Sequence, residues 1–290
     1  MKVTCLIDNC VEQGSPFWGE HGLAILIESG DGALLLDTGA SGDVLMHNLK
    51  AARVEAAKVD AIALSHAHHD HTGGLEAFLA VRGALPIYYA HGDLFIDRLS
   101  RPRRAAEARE PPESADKRPE TLHSIGLLMK PEVLRRAAEL RLCSFPRQVM
   151  PGIWLTGPIT ERAEPEGGSP RLLMREEGRV VRDAYRDDMS VVLQGRRGLT
   201  LVCGCSHSGL LNIVAHVKKV FDAAPRTIIG GTHLKEADAA HLARVVEVLG
   251  GRSGPTLYVN HCTGMKAFAY LSAALGDKVR PCPAGTVIRV

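Results

Sequence analysis

Ala61-Ile62-Ala63-Leu64-Ser65 runs directly into His66-Ala67-His68-His69-Asp70-His71 and then Thr72-Gly73-Gly74-Leu75. The first five residues have the apolar run of a buried strand, and the glycines that follow mark a turn. Side chains delivered at such a junction converge without long-range assembly. Imidazole nitrogen suits zinc and iron, and carboxylate adds a harder oxygen donor. Core packing gives no reason for so many imidazoles beside an aspartate, so the hexapeptide is expected to bind metal.

The rest of the chain bounds what that site can serve. With 290 residues, 45% hydrophobic and 23% charged, there is apolar material for one large core, and one domain spanning 1–290 is expected. A net charge of +2 gives no basic surface for nucleic acid or an anionic membrane, which favours a small-molecule substrate. The seven cysteines are odd in number in a chain too large to need staples, so they are expected as free thiols. Residues 1–8 contain an apolar run too short for a secretion signal, and no segment approaches a membrane span, so a cytoplasmic enzyme is expected.

Working outward from the hexapeptide, residues 3–7, 23–28 and 33–36 have strand character, separated by turns such as Ser29-Gly30-Asp31-Gly32. Helical spacing follows through Val44, Leu45 and Leu49, and again over residues 75–81. A meander followed by alternating strands and helices predicts an α/β fold. Residues 97–119 mix charge and proline with few core formers, and predict an exposed insertion, extending to about 97–142, that could form a lid. Residues 131–142 predict an amphipathic helix opened by Pro131, and residues 161–169 a mobile loop.

Three later strands also end in potential ligands. Gly198-Leu199-Thr200-Leu201-Val202 leads to Cys203-Gly204-Cys205-Ser206-His207, which makes His207 a metal-ligand candidate. Thr227-Ile228-Ile229-Gly230-Gly231-Thr232 leads to His233, a substrate-contact or catalytic candidate. Thr256-Leu257-Tyr258-Val259-Asn260 leads to His261-Cys262-Thr263-Gly264. Cys205 reads equally well as a thiolate ligand or a packed small hydrophobe.

The His-x-His-x-Asp-His motif after a strand resembles the metallo-β-lactamase superfamily. The resemblance implies an αββα sandwich of two mixed β-sheets flanked by helices. It implies two divalent metal ions, zinc first with iron or manganese as alternatives: His66 and His68 would serve one, Asp70 and His71 the other, with His69 spare. His207 would complete the first set and His261 would be the last ligand. A bridging acidic ligand is expected near the strand that ends at Cys205; Cys205, Asp187 and Asp188 all remain open for that role. Asp37, in Leu36-Asp37-Thr38-Gly39, matches an aspartate that supports the centre from behind by accepting a ligand histidine's other N–H.

Trp18-Gly19-Glu20-His21-Gly22-Leu23, Gly204-Cys205-Ser206-His207-Ser208-Gly209, Ile229-Gly230-Gly231-Thr232-His233-Leu234 and His261-Cys262-Thr263-Gly264 narrow the resemblance. Together they are similar to a metal-dependent hydrolase branch that includes the dihydropterin ribofuranosyl-aminobenzene phosphate synthases of methanopterin biosynthesis. The Gly-Cys-Ser-His signature and the long segment after His71 point away from antibiotic hydrolysis. The expected reaction is hydrolysis of a small ester, lactone or phosphoester by hydroxide generated on the metals. Asp70 and His233 are the catalytic candidates, and Glu20, His21, His233 and Thr263 the substrate contacts. Carbon–nitrogen bond formation on a dihydropterin is the second expectation, and a non-catalytic ligand-binding protein the third. Oligomeric state, including a homo-oligomer, is left open.

Overall fold

The computed structural model describes residues 1–102 and 121–290. In chain order the first half forms β1 (Lys2–Ile7), β2 (Ala24–Glu28), β3 (Ala33–Leu36), α1 (Gly42–Ala51), β4 (Ala61–Ala63), α2 (His69–Thr72), α3 (Leu75–Arg82) and β5 (Pro86–Tyr89). There follow β6 (Arg98–Ser100), β7 (His123–Ser124), α4 (Pro131–Ala137) and β8 (Glu139–Leu142). The second half forms β9 (Arg147–Met150), β10 (Ile153–Leu155), β11 (Leu172–Glu176), β12 (Arg179–Arg182), β13 (Val191–Gly195) and β14 (Gly198–Cys203). It ends with α5 (Leu210–Phe221), β15 (Thr227–Gly231), α6 (Ala239–Leu249), β16 (Thr256–Asn260), α7 (Met265–Leu275), β17 (Val279–Pro281) and β18 (Val287–Arg289).

Two large mixed sheets face each other, in strand order β18-β1-β2-β3-β4-β5-β8 and β17-β16-β15-β14-β13-β10-β9. Side-chain alternation builds the layers, because successive residues of a strand point to opposite faces. Ile25, Ile27, Leu34 and Leu36 point inward to meet Val191, Leu193, Val202 and Ile229 of the second sheet. Leu26 and Leu35 point outward, against Leu45 and Leu49 of α1 and Leu75 and Phe78 of α3. On the far side, Leu201, Ile228 and Leu257 pack against Ile213, Val217, Leu242, Val245 and Leu271 of α5, α6 and α7. Helix, sheet, sheet, helix is the resulting order, the αββα sandwich that the resemblance implied.

Direction matters for the site. Strands β3, β4, β5 and β8 run parallel, as do β14, β15, β16 and β17. Parallel strands exit at one edge, where loops free of ladder bonding can carry chemistry. The hexapeptide follows β4; Cys205 and His207 follow β14, His233 follows β15 and His261 follows β16.

Two expectations need correcting. Arg98, placed with an exposed charge run, is fully buried and lies on β6. Its cation is neutralised by the Asp183 and Asp187 carboxylates, partners that lie 85 and 89 residues away and so are invisible to local composition. The helix expected over 131–142 stops at Ala137; Ala138 is extended, and Glu139–Leu142 joins the first sheet beside β5. Leu140 alone of that strand packs on the core, a single-sided edge-strand contact that mimics a short stretch of helical stripe. The lid expectation falls mostly on residues 103–120, outside the described residues. A third sheet, β12-β11-β6-β7, was not foreseen; it sets Ser100, Ile125 and Leu172 at the mouth of the cleft. The 161–169 loop is tethered: Gly167 N–H donates to His207 O, and Arg244 holds the Glu164 carboxylate.

Candidate metal centre

Asp37 and Ser65, which follow β3 and β4, organise the base of the site. The Asp37 carboxylate accepts the Ser65 backbone N–H at 2.7 Å and the Ser65 hydroxyl at 2.7 Å. Its Oδ2 also lies 2.7 Å from His71 Nδ1. Since Oδ2 of a carboxylate is an acceptor, His71 donates from Nδ1, and the lone pair of its neutral ring is on Nε2. Ser65 Oγ has its proton on Asp37, so His66 Nδ1, 2.9 Å away, donates to it, and the His66 lone pair is also on Nε2. His261 Nδ1 meets Asn9 Oδ1 at 2.8 Å, and Asp8 Oδ1 accepts the His261 backbone N–H at 2.7 Å. Three imidazoles are thus fixed in one tautomer with their lone pairs aimed inward.

Those lone pairs crowd together. His66 Nε2 lies 3.0 Å from His68 Nδ1 and 3.2 Å from His207 Nε2. His71 Nε2 lies 3.3 Å from His261 Nε2 and 3.2 Å from Cys205 Sγ. The donor atoms fall into groups with mutual separations within 4.8 Å: His66, His68 and His207; His66, His71 and Cys205; Cys205, His207 and His233; His21, Asp70 and His261. Asp70 Oδ2 stands 3.4 Å from His261 Nε2 and 3.8 Å from His71 Nε2. Among the described residues, His68 Nε2, His207 Nδ1 and His233 Nδ1 are buried without a hydrogen-bond partner. Imidazole nitrogens and a thiol facing one another this closely in a buried place are costly unless protons or a cation sit between them. The nitrogen, sulfur and carboxylate set suits zinc or iron, so these residues fit divalent metal.

Charge follows the same logic. Burial pushes His66 and His207 well below the ordinary imidazole value, leaving both neutral. Burial would also lower His71, but Asp37 and Asp70 overcome it and push His71 up to about 9. Burial would raise Asp70, yet His71, His261 and His68 hold it well below the usual carboxylate range. Cys205 is raised well above the ordinary thiol by burial and by the neighbouring Cys262. The backbone is strained at the same places: Asp37, Ser206, His233 and His261 have φ of 60°, 60°, 48° and 47°, the left-handed region. Non-glycine residues there cost on the order of 1–3 kcal/mol each and cluster at functional sites.

A cleft of about 260 Å³ opens over the cluster, and His21, Asp70, His233, Arg171, Lys235 and Ser169 are among the residues that line it. The family model described as the metallo-beta-lactamase superfamily matches residues 18–137, which contain the hexapeptide and Asp37. A solved metal-dependent hydrolase of the beta-lactamase superfamily superimposes with a TM-score of 0.80, covering 100% of this chain and 99% of its own at 23% identity. The fold is that of the metallo-β-lactamase superfamily, and residues 18–137 are similar to its family model.

Among the curated proteins similar to this chain is the 7,8-dihydropterin-6-methyl-4-(beta-D-ribofuranosyl)-aminobenzene-5'-phosphate synthase of Methanocaldococcus jannaschii. It is 28% identical, with 100% of this chain and 96% of the relative covered. A second protein of that organism, itself uncharacterized, is 28% identical over 93% of each chain.

Several expected positions can now be placed. His66, His68, Asp70, His71, His207, His261 and Cys205 come together, and His233 joins them through His207, ring centres 4.2 Å apart. His69 belongs to none of these groups; its Nδ1 lies 3.3 Å from Ile125 O. Neither aspartate considered as a bridge is in a donor group. Asp188 Oδ2 accepts Ser208 N–H and Oγ–H, and burial raises this carboxyl to about 6. Asp187 accepts Ala67 N–H and pairs with Arg98. The position between the two histidine sets is held by the Cys205 sulfur instead. Glu20 is turned away from the cleft, where its carboxylate accepts Ala40 N–H, Ser41 N–H and Ser41 Oγ–H at the start of α1. Thr263 is buried and bonded to Thr232 Oγ1, not at the cleft wall. Of the four expected substrate contacts, His21 and His233 line the cleft and Glu20 and Thr263 do not.

Sequence reasoning missed Asp8 and Asn9, although Leu6-Ile7-Asp8-Asn9 is one more strand ending in polar groups. It missed Arg98, and also Tyr185, whose ring stacks on His207 at 4.1 Å with a 2° interplanar angle. No local pattern marks those two.

Proposed function

We propose that the chain is a metal-dependent enzyme that cleaves an ester, lactone or phosphoester of a small anionic molecule. The observation that carries this is the convergence of buried lone pairs from both sheets beneath a cleft whose wall includes Arg171 and Lys235. His66, His68 and His207 would hold one ion; Asp70, His71 and His261 a second, with Cys205 between. Such ions supply Lewis acidity and lower the pKa of a coordinated water to roughly 7. The protein does the rest. Arg171 and Lys235 give the substrate's anionic end a fixed cationic partner. His233, on the cleft wall beside His207, would deliver a proton to the departing atom. Asp70, kept ionised, would serve the second ion through Oδ2, and His21 Nε2, 3.5 Å from that oxygen, would orient the carboxylate. Tyr185, buried and flat against His207, backs the histidines, and the third sheet contributes Ser100 and Leu172 to one wall of the cleft.

The test is to strip the protein with chelator, reload it with zinc, iron or manganese, and assay a panel of esters, lactones and phosphodiesters. Metal-dependent turnover that disappears in His66→Ala supports the proposal. Absence of metal-dependent turnover on every member of the panel, or a His66→Ala variant equal to wild type, overturns it.

A second reading, carbon–nitrogen bond formation on a reduced pterin, is favoured by the end-to-end similarity to the synthase, whose name joins a dihydropterin to a phosphorylated aminobenzene riboside. Arg171 and Lys235 would then face the phosphate. Fluorescence titration with dihydropterins decides it: saturable quenching at micromolar concentration supports this reading, and no binding at high micromolar concentration removes it.

A further inference from the structure

We propose that Cys262 is a metal ligand, forming with Cys205 and His261 a thiolate-rich half of the centre that selects a soft divalent cation such as zinc. The inference rests on the metal-centred function proposed above and adds a donor to it.

The seven cysteines fall into distinct environments. Cys5, Cys143, Cys203 and Cys282 sit in the apolar clusters of the sandwich, among Leu, Ile and Val, as small hydrophobes do. Cys10 is exposed. Cys205 and Cys262 are buried yet belong to no apolar cluster; both line the cleft. Their sulfurs and one donor atom of His261 lie within 4.8 Å of one another, a group separate from His66, His68 and His207.

The surroundings of the Cys262 sulfur are polar. It accepts the His233 backbone N–H at 3.2 Å, an interaction that favours negative charge on sulfur. In the metal-free state its S–H donates to Cys205 O at 3.3 Å, a proton that a bound cation would displace. Gly231 makes the space: a Cβ there would stand 2.6 Å from Cys262 Sγ. The glycine at the end of β15 therefore seats this thiol beside Cys205. Two thiolates and an imidazole are soft donors that favour zinc over manganese or magnesium.

The experiment uses the full chain, freed of metal and loaded with cobalt(II), and reads sulfur-to-metal charge-transfer absorption in the near ultraviolet. The expected result is a band that falls by about half in Cys262→Ser, by about half in Cys205→Ser and to nothing in the double variant, with Cys10→Ser unchanged. A full-strength band in Cys262→Ser overturns the inference while leaving the metal-centred function intact. Failure of the wild-type chain to take up cobalt or zinc overturns both. Should Cys262→Ser not fold, X-ray absorption at the zinc edge of the wild-type protein counts sulfur neighbours near 2.3 Å. Sulfur from two residues supports the inference, and sulfur from one or none overturns it.

Discussion

The single most connected group in the site is the Asp37 carboxylate, which receives Ser65 N–H, Ser65 Oγ–H and His71 Nδ1 while wholly buried. It fixes the rings of His71 directly and His66 through Ser65. Partners of this kind typically carry 10–100-fold in metal affinity. Asp37→Asn is therefore expected to weaken zinc binding by about that factor in competition with a chromophoric chelator; unchanged affinity would refute the role. Protonation gives a second residue-scale prediction. At pH 7.5 the metal-free protein carries a proton on His71, raised to about 9, and one on Cys205, raised well above the ordinary thiol. His66 and His207 are already neutral. Metal needs the lone pairs, so uptake at pH 7.5 is expected to release about two protons, read by calorimetry in buffers of different ionisation enthalpy. Cys205→Ser should release one fewer, and the His71 share should vanish as pH rises through 9. For the metal-free fold the sign is the reverse. A histidine raised from 6.5 to about 9 contributes stability fully present below 6.5 and lost as pH rises through 9.

Where strands leave the two sheets, tolerances are close. Gly204, at the exit of β14, faces Ser65, at the exit of β4; a Cβ at 204 would stand 2.1 Å from Ser65 Oγ. Gly204→Ala must push Ser65 off Asp37, so we expect about 1–3 kcal/mol of destabilisation in urea unfolding together with weaker zinc binding. Wild-type stability and affinity in that variant would contradict the account. Strand β6 is tied to the site by Arg98, whose partners are Asp183 and Asp187; Asp187 also accepts the N–H of Ala67, between His66 and His68. Arg98→Ala strands two buried carboxylates and is expected to cost about 3–5 kcal/mol, measured by denaturant midpoint. This is also where legibility in the sequence ended. The hexapeptide, His207, His233 and His261 were legible because each follows an apolar strand whose end the sequence marks with glycine or small residues. Asp37 was named only through the resemblance, and Cys205 read equally as a ligand or a packed small hydrophobe. Arg98, Tyr185 and Asp183 were not, because their meaning depends on partners brought near only by the third sheet, whose short strands lack a continuous hydrophobic period. The 139–142 strand reads as helix for a related reason: one core-facing leucine at an edge cannot tell period 2 from period 3.6.

The two large sheets of the molecule have parallel strands that end at one edge, and the candidate ligands are shared between them. His66, His68, Asp70 and His71 come from the first sheet; Cys205, His207 and His261 from the second. A cation that binds only this arrangement clamps the halves together. At free metal 100 times Kd the native state gains about 2.7 kcal/mol. For a chain of this size that corresponds to a Tm shift on the order of 5–10 °C. Chelation is therefore expected to lower Tm by that amount in differential scanning calorimetry, with recovery on adding zinc; an unchanged Tm would mean the ions do not link the sheets. The central claim is that the buried imidazoles, thiol and carboxylate gather around metal. Anomalous diffraction at the zinc edge, from crystals of protein purified without chelator and supplied with zinc, tests it most directly. The account predicts one peak bounded by His66, His68 and His207 and a second bounded by Asp70, His71 and His261. A featureless anomalous map over those side chains would contradict it.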